Sequence, residues 1–175
     1  MKTLRALSIT LLLGLAVSAC GWQLRGSPLL FDLGSVDVRG GSFDIHDLLV
    51  EALESSKVDV HSSGEFQLRL SDERFDRRTV AVDAQGRAAE TELDYHISWM
   101  LLEANGTPLT EKGRVSLTRT VHVDPTNATA SSDEERAIKG TMYQDAAWQI
   151  LRQLNAASAY LFTNEADDED SNDEP

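Results

Sequence analysis

From Leu93 to Leu101 the chain alternates without interruption. Leu93, Tyr95, Ile97, Trp99 and Leu101 share one side, and Asp94, His96 and Ser98 share the other. A period of two is the mark of a β-strand with one dry face. Such a strand needs partners at its edges and apolar cover on that face. Met100 and Leu102 fall on the polar side, so that side is expected to be partly covered at this end.

The flanking sequence supplies the partners. Phe66, Leu68 and Leu70 alternate with Gln67, Arg69 and Ser71, and Thr79 to Val82 resumes the pattern after a polar, bulge-like stretch from Asp72 to Arg78. Asp83-Ala84-Gln85-Gly86 reads as a turn in which glycine supplies a positive φ. Asn105-Gly106 is a type I′ hairpin signal. Val115, Leu117, Val121 and Val123 form the returning strand, with Arg119 interrupting its apolar face and Pro125 ending it. No connection between 66 and 123 is long enough for a helix, so this part is an antiparallel meander.

Helical periodicity lies on either side. After a short alternating strand, Ser35–Arg39, and the break at Gly40-Gly41, Ser42 or Asp44 can cap a helix running to about Ser56. Ile45, Leu48, Leu49, Ala52 and Leu53 recur at spacings of three and four and form its apolar face. Val58 and Val60 then mark a short strand. Ser132 followed by Glu135 reads as a capping box. The helix it opens should reach about Phe162, with Ile138, Met142, Ala146, Ile150, Leu154, Ala157 and Leu161 as its stripe, widened by Tyr143, Ala147 and Leu151. The expected class is α+β, with two α-helices packed on one face of a mostly antiparallel sheet of four strands or slightly more.

The N-terminus has the anatomy of a secretory signal: Lys2 and Arg5, an apolar run from Ala6 to Val17, then small residues. Its apolar core is about 12 residues at ~1.5 Å each, too short for a ~30 Å bilayer. Val17-Ser18-Ala19-Cys20 resembles a bacterial lipobox. The resemblance implies cleavage between Ala19 and Cys20, a thioether from Cys20 to diacylglycerol, and acylation of the new amine, such as by palmitate. Cys20 is the one cysteine in the chain. An unpaired thiol in an oxidising compartment is a liability that lipidation removes. Gly21 in place of Asp implies, within that resemblance, passage to the outer membrane. The chain then divides into a signal peptide (1–19), a lipidated tether (20–34), a folded domain (35–162) and a disordered acidic tail (163–175).

Net charge narrows the partners. The sequence carries 16 basic and 29 acidic residues, a formal charge of −13, and the signal segment removes two of the basic ones. Such a balance argues against nucleic acid. Much of the excess lies in the tail, where seven acids occupy Glu165–Pro175 with no basic residue. Nothing there can bury enough surface to offset ordering.

No catalytic constellation is present. The four histidines, His46, His61, His96 and His122, lack metal-ligand spacing, and neither a nucleophile elbow nor a phosphate-binding glycine loop occurs. No cofactor, metal or enzymatic activity is expected. The meander does concentrate cations: Arg69, Arg74, Arg77, Arg78, Arg87, Lys112, Arg114 and Arg119 lie among nine acids. Arginine's planar fork suits phosphate and carboxylate. Arg77 and Arg78 beside the bulge, and Arg87 at the hairpin tip, are the candidate anion-binding residues.

Cys20-Gly21-Trp22-Gln23-Leu24-Arg25-Gly26, the run RRTVAVDAQGRAAETELDY, the strand RVSLTRTVHVDP and the helix MYQDAAWQILRQL together resemble the LPS-assembly lipoprotein LptE family, over nearly all of 20–160. The resemblance implies two helices on a four-stranded sheet. It also implies a non-enzymatic outer-membrane lipoprotein that plugs the LptD β-barrel, helps it fold, and takes part in placing lipopolysaccharide in the outer leaflet. Lipopolysaccharide carries phosphates, which Arg77, Arg78 and Arg87 could bind. The alternative is a stand-alone, periplasm-facing outer-membrane lipoprotein that binds a small ligand. Cys20→Ser is expected to abolish incorporation of labelled palmitate and to leave uncleaved precursor. Normal processing of the variant would overturn the lipoprotein reading.

Overall fold

The computed structural model describes residues 33–170, with side chains through Ser158. The expectations for 1–19, for Ala19 and Cys20, and for most of the tether lie outside the described residues, as do residues 171–175.

Strand β1 (Ser35–Arg39) has the expected bounds and buries Val36 and Val38. Helix α1 (Phe43–Ser55) follows and buries Ile45, Leu49, Ala52 and Leu53, four of the five residues on its expected apolar face. Strand β2 (Asp59–Val60) then pairs parallel to β1, with α1 as the crossover between them. Strands β3 (Phe66–Val82), β4 (Ala88–Glu103) and β5 (Gly113–His122) form the antiparallel meander. β3 lies parallel to β1, giving one five-stranded sheet in the order β2-β1-β3-β4-β5. Helix α2 (Ala128–Asp170) returns across the same face as α1. The fold class is the expected α+β, with a parallel edge added to the meander.

Several local expectations are corrected. The polar stretch in β3 is bulged as expected, with the register slipping between Ser71 and Arg74 and Asp72 at φ +51°, but the strand runs on through it without a break. The Asn105-Gly106 turn is not type I′, because Gly106 has φ +92° while Asn105 has none of the positive φ that type requires. Its bonds, Gly106 N–H to Glu103 O and Glu103 N–H to Thr107 O, both 2.9 Å, close a three-residue loop. The Asn105 side chain holds it by accepting from Thr107 N–H at 2.8 Å. Ser132 is not a cap. Its hydroxyl donates to Ala128 O at 2.9 Å inside the helix, while Asn127 Oδ1, five residues before the expected cap, accepts from Ala130 N–H at 3.2 Å. Asn127 is the better-placed side chain for the first free N–H groups. At its far end α2 passes the expected Phe162 and runs into the acidic stretch, which is helical as far as Asp170.

The dry face of β4 holds the fold together. Leu93, Tyr95, Ile97, Trp99 and Leu101 are all buried, under Met142, Ala146, Ala147, Ile150, Leu151 and Leu154 of α2. Phe75, Tyr95 and Tyr143 form an aromatic triangle with centroids 5.1–6.2 Å apart, and Tyr95 meets Tyr143 edge-on.

Polar ties fix where the helices sit. The bulge turns Glu73 toward α1. There its carboxylate accepts the Ser42 N–H, the Ser42 hydroxyl at 2.8 Å and the Tyr95 phenol at 3.0 Å. Ser42 holds the N-cap position but makes no side-chain cap of its own. A carboxylate at this helix end also complements the dipole. At the other end of β4, Trp99 Nε1–H donates to Gln153 Oε1 at 2.7 Å, and Gln153 Nε2–H reaches Arg114 O at 3.3 Å. The indole lies over Gly113, its cross-strand partner, where a Cβ would stand 2.3 Å from a ring atom.

Gly113→Ala must therefore displace the indole and strain the Gln153 bond. It should cost about 1–3 kcal/mol in denaturant unfolding, as overpacking does. The Tyr95 phenol is pushed up by burial first, then by the Glu73 carboxylate; burial also raises Tyr143. A proton held more tightly in the fold stabilises it below pH ~10, the ordinary tyrosine value, and that contribution is lost as pH rises beyond it. Tyr95→Phe should cost about 1 kcal/mol at neutral pH and shrink the alkaline loss of stability, read from unfolding at pH 8 and pH 11.

Candidate functional site

The two faces of the sheet differ in kind. One is covered by helices, and the other carries the alternate, polar residues of β3, β4 and β5. On that open face Arg74 Nε meets Asp76 at 2.5 Å, Arg78 Nε donates to Glu92 at 2.8 Å with Asp94 at 3.9 Å, and Lys112 grips Asp72. The Lys112 ammonium holds the Asp72 carboxyl below its usual range, and Glu92 raises the Arg78 guanidinium. The partial cover expected at Met100 and Leu102 is present: Leu102 and Ser98 are buried and Met100 is half-buried.

The three candidate arginines do not converge. Arg77 lies opposite Leu93 on the helix side, 3.3 Å from Glu135 of α2. Glu135 is shared with Lys139 at 3.0 Å, and the Lys139 ammonium stands 4.9 Å from the centroid of Phe75. Arg78 sits on the open face opposite Glu92. Arg87 closes the β3–β4 turn, its N–H and Nε–H both donating to Asp83, at 2.9 and 2.8 Å. Those bonds, the backbone one foremost, hold the Asp83 carboxyl low. Each arginine is exposed and each is matched to a carboxylate. Beyond them the hairpin presents Val80 and Val82 to solvent.

What the geometry does bring together is a groove of about 520 Å³ on the open face. Asp72 and Arg74 of the bulge, His96 and Ser98 of β4, and Arg114 and Ser116 of β5 line it. Arg74 stands opposite His96, His96 opposite Ser116, and Ser98 opposite Arg114. His96 Nδ1 and Ser116 Oγ are 3.0 Å apart. Sequence reasoning named Arg74 and Arg114 among the cations of the meander but did not join them. The signal available was the alternation, which puts 96, 98, 114 and 116 on the polar face. The bulge, which sets Arg74 in line with them, is marked in sequence by the polar stretch from Asp72, but the size and place of its register slip are not. A smaller groove of about 320 Å³ runs between α1 and α2 beside the half-exposed Trp148.

The histidines stay apart. His46 Nε2 lies 3.2 Å from Val38 O, His61 pairs with Ser63, and His122 lies 3.4 Å from Glu90. Among the described residues no three His, Cys, Asp or Glu side chains meet as a metal ion would require, and no helix is long and apolar enough to cross a membrane.

A family model described as LptE, lipopolysaccharide-assembly, matches residues 33–154. Over 160 residues the chain is 30% identical to a Photorhabdus laumondii protein named LPS-assembly lipoprotein LptE, covering 83% of this chain and 84% of that one. Among solved structures, lipoprotein B of Nitrosomonas europaea superimposes with a TM-score of 0.68 at 23% identity, covering 82% of this chain and 96% of its own. Rare lipoprotein B of Shewanella oneidensis gives 0.61 at 23% identity, covering 73% and 96%. At such identities the solved structures speak for the fold, and they share this one. With the family model spanning the sheet, α1 and α2 as far as residue 154, the chain belongs to the LptE lipopolysaccharide-assembly family.

Proposed function

We propose that this protein is a non-enzymatic outer-membrane lipoprotein, anchored through Cys20, that works as plug and folding partner inside the LptD β-barrel and takes part in placing lipopolysaccharide in the outer leaflet. Family membership supports the assembly role. The observation that carries the plug reading is the asymmetry of the sheet, one face dry beneath two helices and the other a mosaic of ion pairs. The lumen of an outer-membrane barrel is polar, so a plug must present mixed polar surface and keep its apolar residues inside.

Lipopolysaccharide phosphates have accessible partners in Arg77, Arg78 and Arg87. Their present carboxylate contacts are exposed pairs, worth about 0–1 kcal/mol, so exchanging a carboxylate for a phosphate is cheap.

The tagged protein, purified in mild detergent, should bring down a large outer-membrane barrel in near-equal amount, identified by mass spectrometry. Elution without one overturns the plug reading and favours the stand-alone lipoprotein. Arg77→Ala, Arg78→Ala and Arg87→Ala should each weaken lipopolysaccharide binding by about two- to fivefold with stability nearly unchanged. Unaltered affinity in all three rejects their role.

A further inference from the structure

We propose that the groove on the open face of the sheet is a binding site for a phosphate monoester, centred on Arg114. The inference rests on the lipopolysaccharide reading above and adds a site on the face away from the helices.

The argument begins with which charges are already matched. Around the groove the acids are taken. Asp72 is held by Lys112 and by the Ser71 hydroxyl at 3.4 Å, and Asp76 by Arg74. Glu73 is committed to Ser42 and Tyr95 toward the helices. Arg114 alone among the lining cations has no carboxylate partner among the described residues, and its backbone oxygen, not its side chain, takes the Gln153 bond. The Arg114 guanidinium is thus the one in this groove left without a carboxylate, in a chain whose formal charge is −13. In such a field an unmatched arginine fork is a local attraction for an anion that the rest of the surface repels.

The neighbours supply the remaining donors. Ser116 is next on the same face of β5, and its hydroxyl and the His96 ring share a 3.0 Å hydrogen bond, so that one of the two, according to the tautomer, turns a proton outward. Arg74 stands beyond His96 on β3, and its contact with Asp76 is an exposed pair that a phosphate could displace at little cost. Strands lie about 4.8 Å apart, so donors on β3, β4 and β5 span about 10 Å. That row fits a phosphate with the sugar that carries it, and the groove's 520 Å³ lies within the range of small-ligand sites, about 300–1,000 Å³. A phosphorylated glycolipid headgroup and free inorganic phosphate share this chemistry.

The test uses the full-length, processed protein in detergent. Binding is measured to intact lipopolysaccharide, to the same material stripped of phosphate, and to inorganic phosphate. Arg114→Gln should weaken binding of intact lipopolysaccharide by about tenfold or more, as loss of a charge-assisted bond does, and leave the melting temperature in place. Arg114→Lys should recover part of the loss. Arg152→Gln, which removes another arginine without an ion pair, on α2, should stay within about twofold of the parent. Phosphate-stripped lipopolysaccharide should bind the parent at least as weakly as intact material binds Arg114→Gln. Inorganic phosphate should compete only weakly; if it binds as tightly as lipopolysaccharide, the glycolipid source is rejected. Lipopolysaccharide binding that ignores Arg114, or falls equally with Arg152→Gln, overturns the groove and leaves the assembly reading standing. A parent protein that binds no lipopolysaccharide overturns the assembly reading's ligand; inorganic phosphate bound through Arg114 would then still support the groove.

Discussion

Five large side chains on one face of β4 must leave water together, and a sheet can bury one face only if something apolar is laid across it. Every other feature answers to that requirement. Fully burying a single Leu, Ile or Phe is worth about 1.5–3 kcal/mol, so the row from Leu93 to Leu101 outweighs any one polar contact in the molecule. Two amphipathic helices supply the cover, one as the crossover between parallel strands and one as the return from β5. Because both lie on the same side, the other face is left to water except around Ser98 and Leu102, and its remaining residues are free to carry charge.

Burial is indifferent to direction, so polar contacts have to say where each helix stops. Glu73 does this for α1. The bulge in β3 turns its carboxylate inward, where it meets the first residues of the helix and the Tyr95 phenol at once. Gln153 does it for α2, spanning the Trp99 indole and the edge of β5. Arg119, which interrupts the apolar alternation of β5, becomes a third tie by reaching Asp145 of α2 at 2.8 Å. An unmatched group at Glu73 or Gln153 would be left partly desolvated, which costs more than the bond itself contributes, whereas the exposed Arg119 pair adds little.

The open face follows a different logic. Exposed pairs such as Arg78 with Glu92 add little to stability, yet they keep a charged surface nearly neutral and easily rearranged. That suits a surface meant to meet polar partners. It also makes the unmatched cation more informative than the matched ones. Arginines that look alike in sequence differ in the fold by what stands opposite: Leu93 beside Arg77, Glu92 beside Arg78, Ser98 beside Arg114.

The sequence by itself determined the elements that periodicity controls: the bounds of β1, the apolar face of α1, the inner row of β4, the stripe of α2 and the meander. Each of these follows from side chains a few residues apart, and the period of an element is a local property. The family resemblance was legible for the same reason, in contiguous runs. Tertiary structure alone decided the rest. Asn127 rather than Ser132 caps α2, because which cap wins depends on how the preceding loop packs. The break in alternation marked a bulge, but only the fold set its register slip, which turned a carboxylate into a helix anchor and aligned Arg74 with His96 and Ser116. The scattering of Arg77, Arg78 and Arg87 over three environments, and the gathering of Arg74 and Arg114 on one groove, depend on residues brought together across strands, which no spacing along the chain encodes.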